Sequence, residues 1–149
     1  MIQYSLKALT AEELSFQVNH IAARPDTKFE IKPMFSRRIR QANENPKIHL
    51  VSLECKIEST EEAPKPFNIT ARFVGVFEVE NVNTDEDRRI FAINATETIF
   101  PYLRAAITNL TADALINPFT LPVVPGSTLF PDDRGPGQYT LNVDPKVLN

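Results

Sequence analysis

The stretch FNITARFVGVFEVE (residues 67–80) alternates between two kinds of position. Its odd-numbered residues, from Phe67 to Val79, are all apolar or glycine, whereas most of its even-numbered residues are polar or charged. A period of two residues is typical of a β-strand with one buried face, because successive side chains point to opposite faces of a sheet. The stretch therefore predicts a half-buried antiparallel strand.

Three other segments alternate in the same way. One covers about residues 47–58, one surrounds Phe16, and one runs over residues 29–35, where Pro33 indicates an edge or a bulge. The acidic, proline-containing stretch after residues 47–58 predicts a hairpin connection to residues 67–80. Four strands in succession predict an antiparallel meander.

Helical spacing replaces the alternation after residue 83. TDED (residues 84–87) has the pattern of a capping box and predicts a short helix through about Ile93. A longer helix is predicted to begin near Thr98, with Pro101 in its first turn, where the missing N–H is harmless. The apolar residues that then recur at helical spacing are Ile99, Leu103, Ile107, Leu110 and Ala114. Strands followed by a helix predict an α+β fold, with the helix packed on one face of the sheet.

Composition excludes several classes of protein. The 149 residues are 42% hydrophobic and 23% charged, which is typical of one globular domain and excludes a disordered or membrane-spanning chain. The net charge of −3 argues against nucleic-acid binding. A single cysteine, Cys55, excludes an internal disulfide framework and favours a reducing compartment. We therefore expect a cytoplasmic protein that neither binds nucleic acid nor inserts into a membrane.

The residues needed for catalysis are not evident in the sequence. It contains no glycine-rich phosphate loop, no Gly-x-Ser-x-Gly elbow and no His-Glu-x-x-His motif. His49 and Cys55 would stand about 20 Å apart on one strand, too far to share a zinc ion. We expect no enzymatic activity, no cofactor and no metal site.

Apolar residues occur on both faces of the strand at residues 67–80. Val74 and Val76 lie opposite Phe73 and Phe77, and a single helix cannot cover both faces of a sheet. The two valines are then either covered by the helix or a second subunit, or they line a groove for a partner.

Several segments resemble the SecB export-chaperone family. IQYSLK (residues 2–7) and ELSFQ (residues 13–17) are similar to its first strand, and residues 47–80 are similar to its central strands. IFPYLRAAIT (residues 99–108) is close to the family's Phe-Pro-Tyr-Ala-Arg helix start, and NPFTLPV (residues 117–123) is similar to its crossover loop.

This resemblance, over about residues 2–124, implies a four-stranded antiparallel sheet with one long helix, assembled as a homodimer or homotetramer. It also implies an ATP-independent holdase that binds unfolded or precursor polypeptides and passes them to SecA. The expected peptide-binding groove consists of Phe67, Ile69, Val74, Val76, Phe119, Leu121, Val123 and Val124. The expected SecA-type docking residues are Glu13, Glu61 and Glu62, and the expected oligomer contacts are Leu103, Ile107 and Leu110.

Two departures from the family pattern change these expectations. Gln17 stands where the family usually has a glutamate, which weakens the case for SecA. The prolines and glycines of residues 125–137 are incompatible with the family's second helix and predict a loop in its place. The chain is accordingly divided into a SecB-like domain, residues 1–124, and an extended C-terminal segment, residues 125–149. Some SecB-like proteins serve toxin–antitoxin systems or mobile elements, so the alternative function is an adaptor dedicated to one partner.

Overall fold

A computed structural model describes six ranges of the chain: residues 2–20, 29–116, 118–122, 129–130, 137–138 and 141–143. The elements in these ranges, in chain order, are β1 (Gln3–Val18), β2 (Phe29–Ile31), β3 (Met34–Gln41), β4 (Ile48–Ile57), β5 (Phe67–Glu80), α1 (Asp85–Asp113), β6 (Gly137–Gln138) and β7 (Leu141–Val143). The predicted domain boundary after residue 124 lies outside the described residues, as does most of the loop predicted in place of a second helix.

The main sheet has the strand order β1-β5-β4-β3-β6, and all of its pairs are antiparallel. Four of these strands are long, and β6 adds two residues beside Met34 and Phe35. Strands β2 and β7 form a separate two-stranded sheet. The prediction of a four-stranded antiparallel sheet with one long helix is confirmed.

The predicted meander is wrong for β1. Strands β3, β4 and β5 do follow one another as hairpins, but β1 pairs with β5 on the far side instead of with β3. The pairing aligns the alternation of the two strands, so that Phe16 lies beside Ile69 and Leu6 beside Phe77 on the buried face. In this position β1 supplies hydrogen-bond partners for the second edge of β5, which is the most apolar strand.

The two predicted helices are one continuous helix of 29 residues. It begins with the predicted capping box: the Thr84 hydroxyl accepts from the Asp87 N–H, and the Asp87 carboxylate accepts from the Thr84 N–H. Pro101 lies inside the helix rather than in a first turn, on its exposed side near exposed Glu97. A proline is least costly there, because water can reach the backbone that it disturbs.

The core lies between α1 and one face of the sheet. Every odd-numbered residue of β5 is buried, and α1 contacts β5, β4 and β1. The helix residues buried against the sheet are Phe91, Ala92, Ala95, Thr96, Ile99, Phe100, Leu103, Ile107 and Thr111. The opposite face of the sheet, which we call the open face, is not covered by any described element of the chain.

Candidate functional site

The predicted groove residues divide between the two faces of the sheet. Phe67 and Ile69 lie on the helix side of β5 and are 0% and 1% exposed. Val74 and Val76 lie on the open face and are half-buried. Val123 and Val124 lie outside the described residues. The described members of the predicted groove therefore do not form one continuous surface within a single chain.

Phe119 and Leu121 lie with Phe67 at the end of the sheet where β5 begins. The rings of Phe67 and Phe119 are 5.6 Å apart between centroids, and the rings of Phe16 and Phe67 are 5.8 Å apart. Phe119 is 7% exposed and Leu121 is fully buried. These aromatic and aliphatic groups form the part of the core that the crossover segment, residues 118–122, closes.

Three polar side chains of α1 hold the crossover segment. The Thr111 hydroxyl accepts from the Phe119 N–H at 2.8 Å, and the Thr108 and Thr120 hydroxyls are 2.8 Å apart. Arg104 Nε donates to the Leu121 carbonyl at 2.5 Å. The segment thus runs back along the helix, with Phe119 and Leu121 turned inward and Pro118 and Pro122 exposed.

Sequence reasoning missed this set of helix residues. Arg104, Thr108 and Thr111 are spaced by four and then three residues, so they share one helix face. These polar residues lie beside the apolar face of the helix, and this pattern indicates that the helix binds a further segment of the chain. The pattern does not indicate which segment that is.

The open face has a regular arrangement that follows from strand register. One row across β3, β4, β5 and β1 consists of Arg38, Ser52, Val74 and Thr10, and the next consists of Arg40, Leu50, Val76 and Ala8. Leu50, Val74 and Val76 are each half-buried, so they present apolar surface without being fully exposed. Basic side chains on β3 border this apolar strip.

A third row on the open face contains an ion-pair cluster centred on Arg72. Its guanidinium lies 2.8 Å from Glu54 Oε2, 3.1 Å from Glu12 Oε1 and 3.5 Å from Glu13 Oε1. The hydrogen bonds from Glu54 and then Glu12 raise the pKa of Arg72, because they stabilise its charged form. Arg72 therefore stays cationic and holds three carboxylates together.

A β-bulge in β1 makes this cluster possible. The register between β1 and β5 shifts between Ala11 and Glu13, which adds one residue at Glu12. In a regular strand, neighbouring side chains would point to opposite faces. The extra residue lets both Glu12 and Glu13 reach Arg72 on the open face.

The three predicted acidic docking residues are not one compact patch. Glu13 is the eleventh of the 16 residues of β1 and is paired with Arg72, whereas Glu61 and Glu62 are exposed in the connection between β4 and β5. The three predicted oligomer contacts also differ from one another: Leu103 and Ile107 are fully buried against the sheet, and Leu110 is half-buried. Leu110 therefore has the most surface of the three left for a neighbour.

His49 and Cys55 occupy structural positions. His49 packs edge-on against Phe91 at 5.3 Å between ring centroids, and its Nδ1 has no hydrogen-bond partner among the described residues. Cys55 is buried in the core, where desolvation strongly raises the pKa of its thiol. Within the described ranges, no three histidine, cysteine or carboxylate side chains group closely enough to hold a metal ion. The same ranges contain no helix that is long and apolar enough to cross a membrane.

Comparison with known proteins places this fold in context. The protein shares 27% identity over 114 residues with an uncharacterised protein of Methanocaldococcus jannaschii, a match that covers 76% of this chain and 73% of that one. It shares 29% identity over 86 residues with the protein-export protein SecB of Anaplasma phagocytophilum, which covers 56% of this chain and 54% of that one.

A solved structure has the same fold. It is the SecB-like chaperone Rv1957 of Mycobacterium tuberculosis, in complex with a ChAD peptide from the antitoxin Rv1956 HigA1. The TM-score is 0.65 and the identity 16%, over 81% of this chain and 90% of that one. A family model described as preprotein translocase subunit SecB matches residues 2–134. Because that match covers nearly the whole chain, the protein belongs to the SecB family.

Proposed function

We propose that this protein is an ATP-independent holdase that binds unfolded or precursor polypeptides through apolar surface on its sheet. Membership of the SecB family supports a chaperone role. The observation that carries the specific proposal is the half-exposed apolar strip of Leu50, Val74 and Val76 on the open face of the sheet. While no partner covers this strip, its apolar area stays in contact with water. Binding a client would bury that area and so stabilise the complex.

The chemistry of this surface fits clients without a fixed sequence. Aliphatic side chains bind by contact area rather than by directed hydrogen bonds, so they accept many different apolar residues. Each contact is weak, and affinity accumulates when an extended client touches several sites or several subunits. Release needs no nucleotide, since each weak contact can break independently.

A fluorescence-anisotropy titration tests the holdase directly. The labelled probe is a reduced, unfolded model protein, and the control is the same protein in its native form. We expect binding of the unfolded form alone, at micromolar affinity or better. Binding of neither form would contradict the holdase and leave the family assignment in place.

Substitution of Val74 tests the surface. Val74→Asp puts a carboxylate into the apolar strip, and we expect client affinity to fall by about ten-fold or more while the melting temperature stays close to that of wild type. The matched control is Thr70→Asp, on the same face of the same strand but two rows away. Equal client binding by Val74→Asp and wild type would show that the strip is not the site.

SecA-dependent export is a further part of the proposal. Glu13, Glu61 and Glu62 are the acidic residues that the resemblance assigns to docking of a SecA-type partner, and Glu61 and Glu62 are exposed in the connection between β4 and β5. Glu61→Lys with Glu62→Lys should abolish binding to purified SecA without changing client affinity. Unchanged SecA binding by that double variant would remove these residues from the docking site.

An adaptor dedicated to one partner is the second candidate function. The M. tuberculosis neighbour was solved with a peptide from an antitoxin, which is the observation that favours this candidate. An adaptor should bind one chain tightly and ignore generic unfolded proteins, so the same titration separates the two functions. In either case we propose a cytoplasmic homodimer or homotetramer.

A further inference from the structure

The C-terminal strands β6 and β7 lie along one edge of the fold in a single register. Ile31 of β2 pairs with Leu141, and Met34 of β3 pairs with Gln138, both in antiparallel fashion. The offset between the paired residues is the same in the two strands, so β6 and β7 follow one line beside residues 29–35. This edge of the protein therefore accepts an added strand, and the chain's own C-terminal segment occupies the first part of it.

One hydrogen bond shows which backbone groups of β3 point towards this edge. The Ala42 N–H, in register with β3, donates to the Ile48 carbonyl at 2.9 Å. Backbone groups in an antiparallel pair alternate between the two neighbours of a strand, so even-numbered residues of β3 bond β4 and odd-numbered residues point outward. Pro33 fits this alternation, since a proline at an outward position removes no bond to the neighbouring strand. The N–H and C=O groups of Ile39 and Gln41 are therefore directed at the free edge.

The second half of β3 has no strand beside this outer edge. Among the described residues, the pairing with β6 ends at Phe35. Residues 38–41 are all exposed, whereas burial alternates along the first half of the strand. Unpaired backbone groups on an exposed edge strand are a template for a further strand.

A cavity lies beside this free half on the helix side of the sheet. Its volume is about 780 Å³, and its lining includes Ile39, Val79, Val82 and Phe91 together with polar residues such as Gln41. Ile39 is 37% exposed, although it shares its side of β3 with Phe35, which is fully buried. On an added strand, the side chain opposite Ile39 would lie about 5 Å from it and so next to this cavity.

We propose that an extended client segment adds as a strand to the outer edge of residues 37–41. Its backbone bonds the outward N–H and C=O groups of β3, and one of its apolar side chains packs beside Ile39 at the cavity. This inference rests on the proposed holdase function and adds a backbone contact to the apolar strip of the open face. The argument is continuity: β6 and β7 already pair with the same edge, and a client would extend that interface. Backbone pairing also suits clients of unrelated sequence, because every residue except proline has the same backbone donor and acceptor.

Two short labelled peptides with identical side chains test strand addition. Both alternate valine with serine, and one carries N-methyl groups on two adjacent central amides, which removes an N–H from each edge of the extended peptide. We expect wild type to bind the unmethylated peptide about ten-fold more tightly, because each backbone hydrogen bond contributes about a factor of two to ten. Apolar contact alone does not distinguish the peptides, so equal affinities would overturn the proposal.

Substitutions of Ile39 locate the effect on β3. Ile39→Pro and Ile39→Ala both remove the isoleucine side chain, but only the proline removes the outward N–H. An edge strand tolerates a proline at such a position, and circular dichroism checks that both variants fold. We expect Ile39→Pro to lose the preference for the unmethylated peptide and Ile39→Ala to keep it, with weaker binding of both peptides. The same response from both variants would place the bound backbone elsewhere. If Ile39→Pro does not fold, Gln41→Pro against Gln41→Ala makes the same comparison at the next outward position.

The remaining outcomes separate this inference from the holdase proposal. If wild type binds the unfolded model protein but treats the two peptides alike, strand addition is wrong and the holdase stands. If wild type prefers the unmethylated peptide but does not bind the unfolded protein, the edge site stands and the holdase fails. If it binds none of the three, both proposals fail. If Ile39→Pro instead lowers the mass of the assembly in light scattering while Ile39→Ala does not, a second copy occupies the edge and the proposal is overturned.

Discussion

Gly75 sets how closely the helix can approach the sheet. A Cβ at this position would lie 2.8 Å from Phe77 Cε2, 3.1 Å from Ile99 Cδ1 and 3.3 Å from Leu6 Cδ1. The Phe77 ring cannot easily move away, because it packs in a cluster of three rings, 6.2 Å from Tyr4 and 5.6 Å from Phe91 between centroids. The absence of a side chain in the middle of β5 is therefore a packing requirement.

Gly75→Ala should lower the free energy of unfolding by about 1–3 kcal/mol, because the added methyl overpacks the core under α1. Urea denaturation measures the change. Thr70→Ala, on the open face of the same strand, is the control and should stay within about 0.5 kcal/mol of wild type. If Gly75→Ala is as stable as wild type, the helix is not held against the sheet as closely as the contacts at Gly75 indicate.

Arg37 shows how a single charged residue can join three parts of the chain. Its guanidinium donates to the Thr96 hydroxyl at 2.9 Å and to the Ala92 carbonyl at 3.3 Å, and it lies 4.5 Å from the centre of the Phe130 ring. Burial lowers the pKa of Arg37, since desolvation disfavours the charged form. The residue thus connects β3, α1 and residues 129–130, a role that the sequence pattern did not predict.

At the scale of elements, the crossover segment depends on α1 for its backbone hydrogen bonds. The Phe119 N–H is buried and its partner is the Thr111 hydroxyl, which is itself fully buried. An irregular segment inside a core needs such side-chain partners, because it has no strand or helix neighbour to supply them. The position of Phe119 and Leu121 in the core is thus set by the helix beside them.

Thr111→Val should destabilise the protein by about 1–3 kcal/mol, because it keeps the shape of the side chain but leaves the Phe119 N–H without an acceptor. Hydrogen exchange at Phe119 should accelerate as well. Thr108→Val is the matched control: its hydroxyl meets an exposed threonine, so we expect a smaller loss. Equal effects of the two substitutions would argue against a special role for Thr111.

The first turn of α1 predicts a pH dependence. The Asn83 N–H, followed by the hydroxyl and N–H of Thr84, lowers the pKa of Asp87 below its usual value, because these donors stabilise the carboxylate. A lowered pKa in the folded state adds stability above the unfolded value of about 3.9, and this stability is lost as the pH falls through the folded pKa.

Asp87→Asn should therefore have a lower melting temperature than wild type at pH 7, and the difference should narrow towards pH 3. Thermal unfolding followed by circular dichroism at both pH values measures it. Asp113→Asn, at the other end of the helix, provides the control and should not have a lower melting temperature than wild type at pH 7, because a carboxylate in the last turn does not cap the helix. If the melting temperatures of Asp87→Asn and wild type differ by the same amount at all pH values, the stability does not depend on protonation of Asp87 and the prediction is wrong.

At the scale of the whole molecule, one edge of the sheet is the 16-residue strand β1. Tyr4 and Leu14 of this strand are 39% and 46% exposed, and Tyr102 of the helix is 51% exposed. Long edge strands with exposed apolar residues favour pairing with another chain, because their outer backbone groups are unsatisfied. These features support the proposed homodimer or homotetramer.

Light scattering at micromolar concentration should give twice or four times the mass of the chain. Leu14→Lys, on the exposed edge strand, should shift the distribution towards monomer. Lys7→Glu should not, although it lies on the same strand, where the register with β5 shifts between Leu6 and Ala8. A wild-type monomer under these conditions would contradict the assembly.

Local pattern accounts for much of this fold. The alternation of residues 67–80 predicted β5 and its buried face, and TDED predicted the start of α1, because side-chain periodicity and capping depend on neighbouring residues alone. The resemblance carried by IFPYLRAAIT and NPFTLPV predicted the family. The open-face position of Val74 and Val76 also follows from alternation.

Only the tertiary structure decided which distant parts of the chain contact one another. The alternation of β1 is compatible with either β3 or β5 as a neighbour, and packing selected β5. Nothing local indicates that Glu12, Glu13 and Glu54 share Arg72, since a bulge and two strand pairings bring them together. Likewise, Pro101 indicated a helix start by local rules, but the contacts of Phe91, Ile99 and Leu103 with one sheet keep the helix continuous. Periodicity specifies which face of an element is buried, whereas the partner of that face depends on what the whole chain can pack against it.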